Sequence, residues 1–221
     1  KDWIVTEKID GTNIRVVIKK IRGDAYRRVV LNKPNIKRLD IPEKNEAIFR
    51  LIMGKTDNAN TPQFLLDAID RQLPMEKLAK VFDYLTDGET VILFGEGYGP
   101  KIQSGGKYSK DNGFVLFDVW FSTSRGELWA ERDAVKSIAE SLDIPVVGTY
   151  CFGNNTPDDI LRFMKEFVDG RTTLCSMLAL EEFNTVEPEG FVCRPARVLL
   201  RQNGEPLMWK IKFRDLRNRK G

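Results

Sequence analysis

The sequence predicts an α+β protein built from mixed, mostly antiparallel sheets with helices packed on the outside. Three observations carry this. Short runs rich in Val and Ile stand at both ends of the 221-residue chain, helix-period apolar patterns occupy its middle, and strand patterns return between the helical stretches. At 42% apolar residues, the chain can bury one good-sized core or two small lobes sharing a cleft.

Taken in order, residues 3–8, 14–20 and 27–31 read as short strands. From Pro42 to Leu85 the apolar period is that of helices. Thr61-Pro62 gives a cap with proline at the first helical position, and Phe64, Leu65, Ala68, Ile69 and Leu73 follow on one face. A second helix carries Met75, Leu78, Ala79, Phe82 and Leu85 and ends near Asp87-Gly88. Strand signals return at 90–94 and 114–121. The helix expected over 131–142 places Ala134, Ile138 and Leu142 together, and another opens at Thr156-Pro157-Asp158-Asp159, where acidic residues suit the helix dipole. Residues 189–194, 198–201 and 207–213 read as strands. No repeat, low-complexity stretch or linker interrupts the chain, so one domain over residues 1–221 is expected.

Charge is nearly balanced, with 35 Lys+Arg against 32 Asp+Glu for a net +3, so any nucleic-acid binding must come from a local basic patch. No run of eighteen apolar residues and no secretory segment is present, and a soluble cytoplasmic protein without a membrane partner is expected. Cys151, Cys175 and Cys193 lack CxxC spacing and read as small, buried, reduced thiols. Histidine is absent, which removes Ser-His-Asp and Cys-His catalysis and histidine-based metal sites. Lysine, carboxylates and a hard metal ion are left to carry any chemistry.

The richest segment is Glu7-Lys8-Ile9-Asp10-Gly11-Thr12-Asn13-Ile14-Arg15, a lysine at a strand end flanked by acids and followed by a glycine turn. Alone it reads equally as an Asp-Gly hairpin with a solvated lysine. Phe94-Gly95-Glu96-Gly97-Tyr98-Gly99 sets a carboxylate between glycines, where backbone can approach a ligand, and Glu189-Gly190-Phe191-Val192 repeats that logic. Each is also compatible with a plain turn. Trp209-Lys210-Ile211-Lys212-Phe213 alternates two lysines with apolar groups, which puts both ammoniums on one face of a strand, whether lining a site or on a solvated edge.

In this order the segments resemble the covalent nucleotidyltransferase superfamily of RNA ligases, DNA ligases and mRNA capping enzymes. The family pattern is K-x-D/N/H-G, a strand-end glutamate, an aromatic strand, an E-G strand and a K-x-K strand, and all five occur between Glu7 and Lys212. Glu7-Lys8-Ile9-Asp10-Gly11-Thr12-Asn13 is similar to the E-K-x-x-G-T-N form of ligases that repair nicks in duplex RNA. The stretch from Phe94 through Lys101-Ile102-Gln103 and the aromatic run Phe-Val-Leu-Phe-Asp-Val-Trp-Phe ending at Phe121 resemble the same branch. DNA ligases and capping enzymes carry an OB-fold domain after the K-x-K strand. Eight or nine residues follow Lys212 here, so no OB-fold domain is expected in this chain and the RNA ligase branch is favoured over those two rivals. The silent alternative, a nucleic-acid-binding domain using the basic tail at 214–220, is disfavoured by an intact Lys8 with both Lys210 and Lys212.

The resemblance implies an adenylyltransferase domain around an ATP cleft, with some likeness to ATP-grasp ligases. Lys8 would take AMP from ATP with Mg²⁺ or Mn²⁺ present, pass it to a 5′-phosphate end of RNA or DNA, and let a 3′-hydroxyl expel it. Glu7 would read the adenine edge, Phe117 would stack on the base and Glu96 would hold the ribose. Glu189 would assist the metal ion, Lys210 and Lys212 would offset phosphate charge, and Asn13 would act at sealing. Ile9 and Arg15 fall among the nucleotide-binding positions. The family's phosphate-binding arginine after the second strand has Lys33 or Arg28 as its counterpart.

Overall fold

Ten strands form two antiparallel sheets among the residues that the computed structural model describes, which are 3–22, 35–41, 44–56, 59–152, 154–179 and 186–217. Strands β1 (Trp3–Lys8), β8 (Thr149–Tyr150), β9 (Gly190–Pro195) and β10 (Trp209–Lys212) make a four-stranded sheet in the order β10-β9-β1-β8. The other sheet has the order β3-β4-β2-β5-β6-β7. Its strands are β2 (Thr12–Arg22), β3 (Ile36–Ile41), β4 (Glu46–Met53), β5 (Thr90–Tyr98), β6 (Gly113–Thr123) and β7 (Gly126–Trp129). The chain divides into two compact units. The first holds Lys1–Gly11, Tyr98–Asp111 and Val147–Gly221, and the second holds Thr12–Gly97 and Asn112–Val146.

In the first unit, helices α4 (Pro157–Val168) and α5 (Phe213–Arg217) accompany the sheet. Helix α4 starts as its sequence requires. Thr156 Oγ1 accepts from the Asp159 amide at 3.2 Å and Asp159 Oδ2 accepts from the Thr156 amide at 3.2 Å, a reciprocal cap that contributes about 0.5–2 kcal/mol. Its buried stripe, Ile160, Met164 and Phe167, meets Val5, Tyr150, Phe191, Cys193 and Phe213 in a core rich in aromatic rings. Phe152 and Phe163 stack with ring centroids 4.1 Å apart, and Phe167 and Phe213 lie 4.5 Å apart.

In the second unit, β2 buries alternate residues Ile14, Val16 and Ile18, and helices α1 (Gln63–Gln72), α2 (Met75–Val81) and α3 (Arg132–Leu142) accompany the sheet. The 42–85 stretch departs from the helical expectation, because residues 46–53 form β4. Ala47, Ile48, Phe49 and Arg50 are buried in succession, so the strand is covered on both faces and has no clean two-residue period to read. Arg50 donates to the Leu73 carbonyl at 2.7 Å and pairs with Asp70, which docks α1 on the sheet.

Several element ends also shift. Pro62 itself caps α1 without a side-chain bond, and α2 ends at Val81, with Phe82 and Leu85 buried beyond it. The buried stripe of α3 is Arg132, Val135, Ala139 and Leu142, whereas Ala134 is exposed. Residues 198–201 supply only the isolated bridge between Leu200 and Pro206, and Phe213 starts a helix instead of ending a strand. Cys193 is buried as expected, but Cys151 is exposed. The strand expected at 27–31 lies outside the described residues. Among the described residues, no helix is long and apolar enough to cross a membrane.

Candidate active site

Strand register in the first unit brings three of the expected residues together. Lys8 at the end of β1 stands opposite Gly190 at the start of β9, and Gly190 stands opposite Lys212 at the end of β10. Residues paired directly across a sheet share a face, so the two lysines flank one glycine on the same side. Glu189, the residue before that glycine, receives both. Its Oε2 accepts a hydrogen bond from Lys8 Nζ, and its Oε1 forms an ion pair with Lys212 Nζ at 2.6 Å.

The glycine of the E-G pair has a steric cause. A Cβ at Gly190 would lie 1.8 Å from the Ile211 carbonyl oxygen and 2.9 Å from Lys212 Cα. Only glycine lets β10 approach closely enough for Lys212 to reach Glu189. The Glu189 side chain is 8% exposed, against 19% for Lys8 and 32% for Lys212, so the acceptor is better buried than either donor. Burial opposes its charge, but Lys212 and Lys8 more than offset this and hold its pKa below the ordinary 4.5.

Glu7 points elsewhere. It pairs with Phe191, which pairs with Ile211, and so lies on the opposite face from Lys8. Glu7 is 2% exposed, and its carboxylate accepts from the Ser176 hydroxyl and from the amides of Met177 at 2.9 Å and Leu178 at 3.4 Å. Burial raises its pKa above 4.5 in spite of these donors. Ile9 is buried, and Asp10, next in the turn, donates its amide to Tyr108 Oη at 3.0 Å. Ser176 and Tyr108 are not legible as site residues in the sequence, since neither falls in a motif and each reaches its partner across more than ninety residues.

Of the other expected residues, Asn13, Arg15, Glu96 and Phe117 belong to the second unit and Lys210 to the first. Asn13 on β2 and Glu96 on β5 stand directly opposite each other, as do Arg15 and Phe94. All four lie on the sheet face away from the buried Ile14, Val16, Val91 and Leu93. Arg15 donates to the Gly54 carbonyl at 3.1 Å. Phe117 is half-buried on β6, and Arg132 Nη1 lies 3.5 Å from its carbonyl oxygen. Lys210 is exposed on β10, opposite Val192. Lys33 and Arg28 lie outside the described residues. Among the described residues, no three His, Cys, Asp or Glu side chains converge as a metal cage.

No curated protein matches the chain. Among solved structures, it is similar to the RNA ligase of Naegleria gruberi with pyrophosphate, at 16% identity and a TM-score of 0.57 over 99% of this chain and 51% of that one. A variant of that ligase with ATP and manganese gives 16% identity and a TM-score of 0.53 over 99% of this chain and 51% of that one. A variant with AMP and manganese gives 17% identity and a TM-score of 0.55 over 99% and 52%. The chain therefore spans about half the length of these relatives, and at such identity the likeness is one of fold. The RNA ligase family model matches residues 1–212, nearly the whole chain and all five motif segments. This chain belongs to the RNA ligase family.

Proposed function

We propose that this chain catalyses ATP-dependent joining of RNA ends through a lysyl-AMP intermediate on Lys8. The observation that carries this reading is the single carboxylate of Glu189 held between Lys8 and Lys212. The Naegleria ligase variants solved with ATP and manganese support ATP as substrate and a divalent ion as cofactor.

Attack requires Lys8 Nζ as a neutral amine, because an ammonium has no lone pair. Glu189 accepts from Nζ and so fixes where the amine points. Lys212 remains to neutralise that carboxylate when Nζ turns to phosphorus. Nζ then forms a bond to the α-phosphorus, the bond to the bridging oxygen breaks, pyrophosphate leaves, and the amine's proton passes to solvent. An oxygen of a 5′-phosphate end next displaces Lys8 from AMP. Finally a 3′-hydroxyl attacks that 5′-phosphorus and AMP departs. Lys210 and Lys212 are suited to offset charge on the phosphates.

Glu189 is the carboxylate that would hold a divalent ion. Its carboxylate oxygens are hard donors, which fit Mg²⁺ or Mn²⁺. When bound, such an ion supplies charge neutralisation at the phosphates.

Incubation with α-labelled ATP and Mg²⁺, without polynucleotide, tests the reading. Covalent label on the protein is expected, followed by its loss as a 5′-phosphorylated RNA nick is sealed. Label accepted from GTP alone would indicate capping chemistry, sealing confined to DNA would indicate a DNA ligase, and no label with either nucleotide would overturn the enzyme reading.

A further inference from the structure

The turn that follows Lys8 is tied down by a residue outside every motif. The Asp10 amide donates to Tyr108 Oη at 3.0 Å, across 98 residues of sequence. Tyr108 is 1% exposed, and its ring lies 5.0 Å from the Lys107 ammonium. Burial, with the charges of Glu7, Asp10 and Glu189 adding to it, pushes its hydroxyl pKa well above the ordinary value. The phenol therefore stays neutral, and it is an uncharged hydroxyl oxygen that accepts from the Asp10 amide.

The loop that presents Tyr108 is built for a fixed shape. Lys101 and Gln103 adopt left-handed backbone with φ of 67° and 45°, a conformation that non-glycine residues take only when their surroundings impose it. Ile102 is buried, and its amide donates to the Gly99 carbonyl at 3.2 Å. A Cβ at Gly105 would lie 2.9 Å from the Gly99 amide nitrogen, so the chain folds back on itself there. The Tyr108 amide then donates to the Gly105 carbonyl at 3.1 Å. This loop runs from the end of β5, which carries Glu96, toward β6, which carries Phe117. The Asp10–Tyr108 bond ties this loop to the turn that follows β1, which carries Lys8.

We infer that Tyr108 is a positioning residue for adenylate transfer, its hydroxyl holding the turn after Lys8 so that Nζ is kept on line for the α-phosphorus. The inference rests on the reading of Lys8 as nucleophile. A tie of this kind acts on the geometry of attack and not on ATP binding. Loss of one such bond is expected to slow the chemical step by up to about tenfold.

Tyr108→Phe keeps the ring and removes the acceptor. We expect adduct formation at saturating ATP to fall by about two- to tenfold while the ATP concentration for half-maximal rate stays within about 1.5-fold. Hydrogen exchange at the Asp10 amide should quicken by a similar factor. An unchanged rate, an unchanged Asp10 exchange, or a loss that appears only as weaker ATP binding would overturn the positioning role. If the wild-type adduct instead maps to a lysine other than Lys8, the proposed function and this inference fall together. A Lys8 adduct with a normal Tyr108→Phe protein removes the inference alone.

Discussion

Lys8 and Lys212 reach the same carboxylate from strands on either side of β9, at the level of the one residue in that strand without a side chain. Neither lysine is close to the other in sequence, and antiparallel pairing alone sets them at one level. This makes the neighbourhood of Glu189 sensitive to small changes of backbone, charge and pH, in ways that can be separated.

Gly190→Ala tests the steric basis of the arrangement. Its new methyl would lie 1.8 Å from a carbonyl oxygen, and backbone cannot swing aside as a side chain can. A loss of at least about 3 kcal/mol is expected, the upper end of overpacking costs, or roughly 6–12 °C in thermal midpoint. A midpoint unchanged within about two degrees in calorimetry would mean that β10 need not approach so closely.

Glu189→Gln tests the electrostatic basis. The Glu189 pKa is depressed in the folded state, so the stability it contributes is fully present above the ordinary value of 4.5 and is lost as pH falls through the folded value. Wild-type protein should therefore lose stability below pH 4.5 faster than Glu189→Gln, whose acid limb should be flatter. Adduct formation should fall by roughly two to three orders of magnitude, by analogy with loss of a transition-state hydrogen-bonding group. Parallel acid limbs in urea titrations would remove Glu189 from the account of charge pairing.

The two lysines of β10 should behave differently. Lys212→Ala leaves Glu189 with Lys8 alone and should cost both stability and adduct formation, the latter by about a hundredfold or more. Lys210 is exposed, so Lys210→Ala should change stability by no more than about 0.5 kcal/mol yet still slow the reaction if its ammonium meets phosphate. Equal stability losses in the two variants, by urea unfolding, would contradict this division.

Phe117→Ala should raise the ATP concentration needed for adduct formation, because aromatic stacking on a base is worth on the order of 1–3 kcal/mol. Phe117→Tyr should be far milder. Identical ATP dependence for wild type and Phe117→Ala would assign the ring to packing within its own sheet.

Much of this is legible in the sequence, for physical reasons that differ by residue. The cap at Thr156-Pro157-Asp158-Asp159 is local chemistry, and α4 starts there, with Thr156 and Asp159 bonded reciprocally. The alternation of Lys210 and Lys212 with Trp209 and Ile211 is likewise local, and the apolar pair packs against the core as strand period requires. Strand β4 reads as helix because burial on both faces erases the two-residue period, and a buried arginine such as Arg50 looks solvent-facing until its partner on α1 is known. Ser176 and Tyr108 are silent, since each acts through one long-range bond to β1 or its turn, and nothing in the flanking residues announces a partner so far away. Glu7 is legible as a special residue, and strand alternation already turns it away from Lys8, but its burial and its bond to Ser176 follow only from the fold.

The central claim is that Lys8 carries AMP, and mapping the adduct by mass spectrometry tests it most directly. Protein incubated with ATP and Mg²⁺, then digested under conditions that preserve phosphoramidates, should yield one peptide heavier by an adenylate, with the modification on Lys8. Lys8→Ala should yield none while keeping the fold and a cooperative unfolding transition, at a cost in stability like that of Lys212→Ala, because Glu189 then keeps one cation. An adenylate on Lys210, Lys212 or any other lysine, or a full-strength adduct in Lys8→Ala, would contradict the account.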